Sequence, residues 1–253
     1  MTIAFAWSQV STTTRQVDTG DSCMEQRVIT AAGCDSLSGG RSQITSHQVR
    51  KYMRFQDNLV FFSGSMPMIQ RIRTSDVLQK ALGLDPDYSL YEYHERISKW
   101  SAKKDKDAGI SGVTTMVVNG MTGEISTVLG CGSVVEADAH REVVSVDDLP
   151  KGTCRDSTVF RLAAIGGGAS IAIGAIDVNV IQHGGLDCSR SERELCLMIL
   201  RAAERHDKHC GGVPRVFSSS FIDLGGLTDD SEVKWEFLSG TNSVPLHSGV
   251  MPY

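Results

Sequence analysis

No stretch of about 18 consecutive apolar residues occurs in this 253-residue chain, which excludes a helical membrane span. No Lys/Arg-rich run occurs either, and the formal net charge of -5 argues against a footprint for nucleic acid or an anionic membrane. The seven cysteines (Cys23, Cys34, Cys131, Cys154, Cys188, Cys196 and Cys210) form no Cys-x-x-Cys pair and no zinc-type spacing with histidine. Their odd number and scatter fit free thiols in a reducing compartment better than a disulfide framework. The seven histidines include no His-Glu-x-x-His, so neither a metal site nor a cofactor is expected. Met1 to Ser8 has no basic segment ahead of its short apolar stretch, so a cytoplasmic location is expected. Internal repeats and low-complexity segments are absent.

What is present, with 41% hydrophobic and 22% charged residues, suffices for one large domain. Thr2 to Trp7 reads as a buried strand, and Val28 to Gly33 as another. The polar segment between them, Ser8 to Gln26, reads as a long loop or extended hairpin inserted near residues 8-26. Ser46 to Phe55 and Leu59 to Phe62 predict a second hairpin around Gln56-Asp57-Asn58, and Val113 to Val118 with Glu124 to Leu129 a third. Helices are predicted near residues 66-83, 88-104, 169-177 and 191-207. The last carries two overlapping capping boxes, Ser189-x-x-Glu192 and Ser191-x-x-Glu194. Gly130 to Asp156 reads as an irregular, charged insertion near 130-156, and Val213 to Ser220 and Val233 to Phe237 as closing strands. Gly166-Gly167-Gly168 reads as a tight turn, because Ile171 breaks Gly-x-Gly-x-x-Gly and no phosphate-loop lysine follows. Hairpins, two helices, hairpins, two helices, then strands describe an α+β fold with helices grouped outside antiparallel sheets.

A chain beginning Met-Thr exposes a threonine once Met1 is removed, which sets a free α-amine beside a hydroxyl. With a pKa near 8, that amine can act as general base to its own side chain.

The downstream residues sharpen this. Thr2-Ile3-Ala4-Phe5 resembles the first strand of proteasome β-subunits and the bacterial HslV-type peptidases. Ile29 to Ser36 resembles their second strand with its Ala-Asp-Ser-type turn. Gln48-Val49-Arg50-Lys51 is similar to the family's Val-Lys-Lys segment, and Lys51 lies sixteen residues after Asp35, as in the family. Phe61-Phe62-Ser63-Gly64-Ser65 stands where the family opens its first helix with Ala-Gly-Gly. Ile165 to Ala169 and Arg205 to Gly212 resemble the loops flanking the third and fourth helices.

The resemblance implies a four-layer αββα sandwich of the N-terminal-nucleophile (Ntn) hydrolase type over residues 1-253. It implies Thr2 as nucleophile, Lys51 as the neighbouring cation, and Asp35 as the partner of Lys51. Asp207, supported by Cys210, would orient the α-amine, and backbone N–H of Gly64 or Ser65 would form an oxyanion hole. A polypeptide substrate, a homo-oligomeric ring and an ATP-dependent unfoldase partner are implied with them.

The sequence departs from the family at Leu37 (arginine there), Gly167 (serine) and Cys210 (serine). Thr2 lies 33 positions before Asp35, against sixteen in the pattern, so Thr19 is a rival nucleophile. Its polar surroundings, Asp18 and Gly20 to Glu25, suit a buried strand less well than those of Thr2. A non-catalytic shell subunit and an amidase acting on a small amide are the alternative functions.

Overall fold

The computed structural model describes residues 3–16, 22–39, 44–46, 49–55, 57–66, 69–70, 113–128, 139–148, 154–181, 191–207, 210–223, 233 and 235–238. Twelve strands are found among them: β1 (Ile3–Gln16), β2 (Ser22–Cys34), β3 (Ser38–Gly39), β4 (Ile44–Ser46), β5 (Tyr52–Phe55), β6 (Asn58–Gly64), β7 (Val113–Asn119), β8 (Ile125–Val128), β9 (Ala139–Asp148), β10 (Cys154–Gly166), β11 (Arg215–Asp223) and β12 (Glu236–Phe237). Two helices complete the set, α1 (Ala169–Ile176), continued by a π-helical turn at Asp177–Ile181, and α2 (Glu192–His206). All strand pairs are antiparallel. Six strands form one sheet in the order β12-β11-β2-β1-β10-β9, four form a second in the order β5-β6-β7-β8, and β3 and β4 make a small ribbon.

Alternation along β1 shows how the layers are built. Ile3, Phe5 and Trp7 point to one face, where they pack with Ile176 of α1 and with Leu195, Ile199 and Ala203 of α2. Ala4 and Ala6 point to the other face with Ala32 and Ala163, against Leu59, Phe61, Met116 and Val118 of the second sheet. Small side chains on one inner face and large ones on the other let the two sheets interdigitate. Buried on both faces, Ile3 to Trp7 of β1 reads as a continuous apolar run rather than an alternating one. Ser8 adds a polar tie, its buried hydroxyl donating to the Gly123 carbonyl between β7 and β8.

α2 starts as its sequence predicts. The Ser191 hydroxyl accepts from Glu194 N–H at 3.3 Å while Ser191 N–H donates to Glu194 Oε2 at 3.0 Å, so the second of the two capping boxes is used. Glu192 and Glu194 in the first turn and Arg205 and His206 in the last complement the helix dipole.

Several expectations are corrected. Of the two readings of Ser8 to Gln26, the extended hairpin is the one found and the loop is not: β1 runs on to Gln16 and β2 begins at Ser22. β1 is paired on both sides there, with β2 and with β10, so its Ser/Thr backbone has ladder partners throughout. Gly130 to Asp156 is not wholly irregular, since β9 and the start of β10 occupy residues 139–148 and 154–156. Ser46 to Phe55 is not one strand: β4 ends at Ser46 and β5 starts at Tyr52. Of the two helices expected near 66-83 and 88-104, only residues 66 and 69–70 fall among the described ones. They are helical, with Ile69 N–H bonded to the Ser65 carbonyl at 2.9 Å.

Gly33 stands opposite Phe5 on the helix-facing side, and a Cβ there would lie 2.7 Å from Phe5 Cζ. The Phe5 ring is fully buried and stacked with Trp7, so it has little room to yield. Gly33→Ala is expected to cost about 1–3 kcal/mol of folding free energy, the usual range for overpacking, measured by urea denaturation.

Candidate active site

Where β2 ends, its last turn meets three segments that are remote in sequence. Asp35 N–H donates to the Ile3 carbonyl at 3.1 Å, so the turn is sewn to the start of β1. Ser36 and Leu37 N–H both donate to the Gly211 carbonyl at 3.0 Å, and Val49 N–H to the Ser36 carbonyl at 2.8 Å. The Lys51 carbonyl accepts from Phe62 N–H at 2.9 Å, fixing Lys51 at the head of the β5–β6 hairpin.

The Asp35 carboxylate sits at the meeting point with no solvent exposure, and Lys51 is 1% exposed. Oδ1 accepts from Lys51 Nζ at 3.0 Å and from Ile3 N–H at 3.1 Å; Oδ2 accepts from Gly211 N–H at 3.2 Å. Burial pushes the Asp35 carboxyl above the usual carboxylate range, and the Lys51 ammonium with the two N–H groups pulls against that shift. Three converging donors suit an acceptor-only, ionised carboxylate. Gly211 can serve this role because its φ of 151° is one that side-chain-bearing residues rarely adopt.

Asp207 closes α2, its N–H bonded to the Ala203 carbonyl at 2.8 Å. Its carbonyl accepts from Cys210 N–H at 2.9 Å, and its Oδ2 accepts from the Cys210 thiol at 3.8 Å, a long sulfur contact in place of a hydroxyl bond. Gly64 ends β6, two residues beyond the Phe62–Lys51 bond, with φ 121° and an exposed position; Ser65 follows, half-buried.

Of the residues expected to form a site, Asp35 and Lys51 are in direct contact. Asp207 and Cys210 belong to the turn whose Gly211 completes the Asp35 shell, and Gly64 and Ser65 follow the strand that anchors Lys51. Thr2 lies outside the described residues; its neighbour Ile3 donates to Asp35. Thr19 also lies outside them, between strand ends Gln16 and Ser22. Those ends are thirteen positions along β1 from Ile3, or about 43 Å at roughly 3.3 Å per residue. The backbone donors of Ile3 and Gly211 were not singled out by the sequence, in which a main-chain N–H carries no signal. Among the described residues, no group of three or more His, Cys, Asp or Glu could hold a metal ion, and no helix is long and apolar enough to cross a membrane.

No family model matches the chain, and no curated protein matches it. A solved structure described as Thiobacillus denitrificans BPH in complex with Epoxomicin is similar at a TM-score of 0.47 and 16% identity, over 85% of this chain and 99% of that one.

Three buried thiols surround this region and the α2 core. Burial pushes Cys34 and Cys210 well above the ordinary thiol range, helped for both by the Asp35 charge and for Cys210 by Asp207; burial also raises Cys196. Below about pH 8.5 each thiol is protonated in native and unfolded chains alike. Above it the unfolded chain loses protons that the native one keeps, so stability falls with rising pH, by about 1.4 kcal/mol per pH unit for each thiol. Denaturation midpoints from pH 7 to 10 should show this decline, and Cys196→Ala should make it shallower by about one third, the other two thiols remaining. Lys51→Met, which leaves Asp35 buried without its cation, is expected to cost about 3–5 kcal/mol in the same measurement.

Proposed function

We propose that the chain is a threonine-type peptidase of the N-terminal-nucleophile class, acting on polypeptide as a subunit of a homo-oligomeric ring. The observation that carries the reading is the Asp35 carboxylate, which joins the Lys51 ammonium at 3.0 Å to the backbone N–H of Ile3 at 3.1 Å. A desolvated cation is thereby tied through Asp35 to Ile3, the residue that follows the position to which the family resemblance assigns the nucleophile.

In this reading Met1 is removed and the Thr2 hydroxyl attacks the scissile carbonyl. Its proton passes to the Thr2 α-amine, a base whose pKa lies near the working pH. Lys51 lowers the proton affinity of the hydroxyl, and Asp35 holds Lys51 in position. The negative charge developing on the carbonyl oxygen is met by N–H groups at Gly64 and Ser65, where a helix begins. The amine returns the proton to the leaving nitrogen, which departs as the acyl ester forms on Thr2. Water then cleaves the ester and regenerates the hydroxyl. Asp207, with Cys210, orients the amine. An ATP-dependent unfoldase would deliver substrate to the chamber.

Intact mass should show the loss of one methionine, and a peptide epoxyketone should then label residue 2. Thr2→Ala should abolish peptide hydrolysis, and Thr2→Ser should retain part of it because the hydroxyl and amine survive. Processed protein that is not labelled at residue 2, or a fully active Thr2→Ala variant, would overturn the reading. Labelling at Thr19 would move the nucleophile there.

A further inference from the structure

A row of hydroxyls interrupts the apolar packing between the two sheets. Ser219 of β11 stands opposite Thr30 of β2, and Thr30 opposite Ser8 of β1, so the three share one face at one level of the sheet. That face is the inner one, since Ser8 continues the alternation of Ala4 and Ala6 and its hydroxyl donates to the Gly123 carbonyl in the β7–β8 turn. Along their own strands Thr30 lies between Val28 and Ala32, and Ser219 between Phe217 and Phe221, all apolar side chains of the same face. Thr30 has no solvent exposure and Ser219 is 3% exposed.

The hydrogen bonding of this row is incomplete. Ser8 Oγ has its acceptor at Gly123, but neither Thr30 Oγ1 nor Ser219 Oγ has a partner among the described residues. A hydroxyl taken out of water without a new partner carries a free-energy penalty, which valine or alanine at these positions would avoid. Opposed Cα atoms of antiparallel strands lie about 4.5–5.5 Å apart, so one small molecule that both donates and accepts can reach the two hydroxyls together.

The facing residues narrow the chemistry of that molecule. Gly120 and Gly123 of the β7–β8 turn carry no side chains: a Cβ at Gly120 would lie 2.9 Å from Ser219 Oγ, and one at Gly123 3.2 Å from Ser8 Oγ. Thr30, between Ser219 and Ser8 in the row, therefore stands opposite the arch of turn backbone between the two glycines. Val233 and Trp235 lie beside Gly120, and Val10 and Val28 beside Gly123. None of these side chains is charged, and Arg161, opposite Ser8, is two strands from Thr30, about 10 Å away. An ion buried here would have no partner, whereas a neutral molecule would.

We propose that Thr30 and Ser219 bind an internal water molecule between the two sheets. The water accepts from one hydroxyl, donates to the other, and directs its second proton to the backbone of the β7–β8 turn. β1 is then tied to that turn directly through Ser8, and β2 and β11 are tied to it through the water. The proposal stands apart from the catalytic reading, since none of these residues is assigned to chemistry and Ser8 is five positions along β1 from Ile3, about 17 Å.

A high-resolution crystal structure of the wild type should show a water within hydrogen-bond distance of both Thr30 Oγ1 and Ser219 Oγ. In urea denaturation, Thr30→Val, which keeps the branched shape, should lower the midpoint because the water loses a partner. In a dry site the same change removes an orphaned hydroxyl and raises the midpoint. Thr30→Val combined with Ser219→Ala should lower it by less than the sum of the single changes, because both act on one water. The proposal is overturned if the wild-type crystal structure has no water there, if Thr30→Val raises the midpoint, or if the two single effects add. The crystallographic test needs no variant, so a substitution that prevents folding leaves it intact. Epoxyketone labelling at residue 2 is untouched by any of these outcomes.

Discussion

One buried carboxylate holds the ends of four segments together. Asp35 accepts from Ile3 at the start of β1, from Lys51 at the head of β5 and from Gly211 beyond α2, while its own turn closes β2. Removing an ion pair from water costs several kcal/mol per ion, and the mutual attraction recovers that only when the remaining lone pairs are also satisfied. Here both carboxylate oxygens are engaged, so the arrangement is sustained by completeness rather than by Coulomb attraction alone. Stability by itself would be served as well by apolar residues of similar volume. A charge kept at this depth is better explained by what it does to its neighbours, which is to fix a cation beside the beginning of β1.

The sheets make such a junction possible. Alanines on the inner face of β1 bring the second sheet close, and Phe5 folded over Gly33 brings α2 close on the other side. The strand start is thus held between two packed layers whose loops converge on Asp35. At the opposite end, β1 continues as a Ser/Thr-rich strand paired with β2 and β10 toward the Gln16 and Ser22 ends, about 43 Å from Ile3 at roughly 3.3 Å per residue. The proposed chemistry and the remote strand ends therefore impose independent demands on the same strands.

What the sequence made legible follows from how local each signal is. The Asp35–Lys51 pair was legible only through the resemblance of its two segments to a known family's, and the α2 start from Ser191 and Glu194 three residues apart. The long strands at 8–16 and 22–26 were legible only as one of two readings, an extended hairpin or a loop, because Ser-Thr-Thr-Thr-Arg has the composition of a loop. What makes it a strand is β10, which pairs Ser11 with Thr158 from 147 positions away. β9 was hidden for the same reason, its ladder depending on β10. The Gly211 donor to Asp35 was invisible in another sense: what matters there is a backbone N–H and a positive φ, and the side chain that would mark them does not exist.

Within the proposed function, the thiols bear on the choice of nucleophile. Cys34 and Cys210 both lie within the electrostatic reach of Asp35 and Lys51, and a cysteine beside a lysine is ordinarily a candidate for activation. Activation requires the thiolate, and here burial and the carboxylate charge of Asp35, joined by Asp207 at Cys210, favour the neutral form over the pull of Lys51. Both thiols are also sealed from substrate, Cys34 in the inter-sheet core and Cys210 in the helix-side core. The Lys51 charge therefore acts to better effect on a group that can meet a substrate, and in the proposed reading that group is the hydroxyl one residue before Ile3. On that account Cys210 contributes by holding the Asp207 turn through a weak sulfur donor, and its thiol is a spacer rather than a reagent.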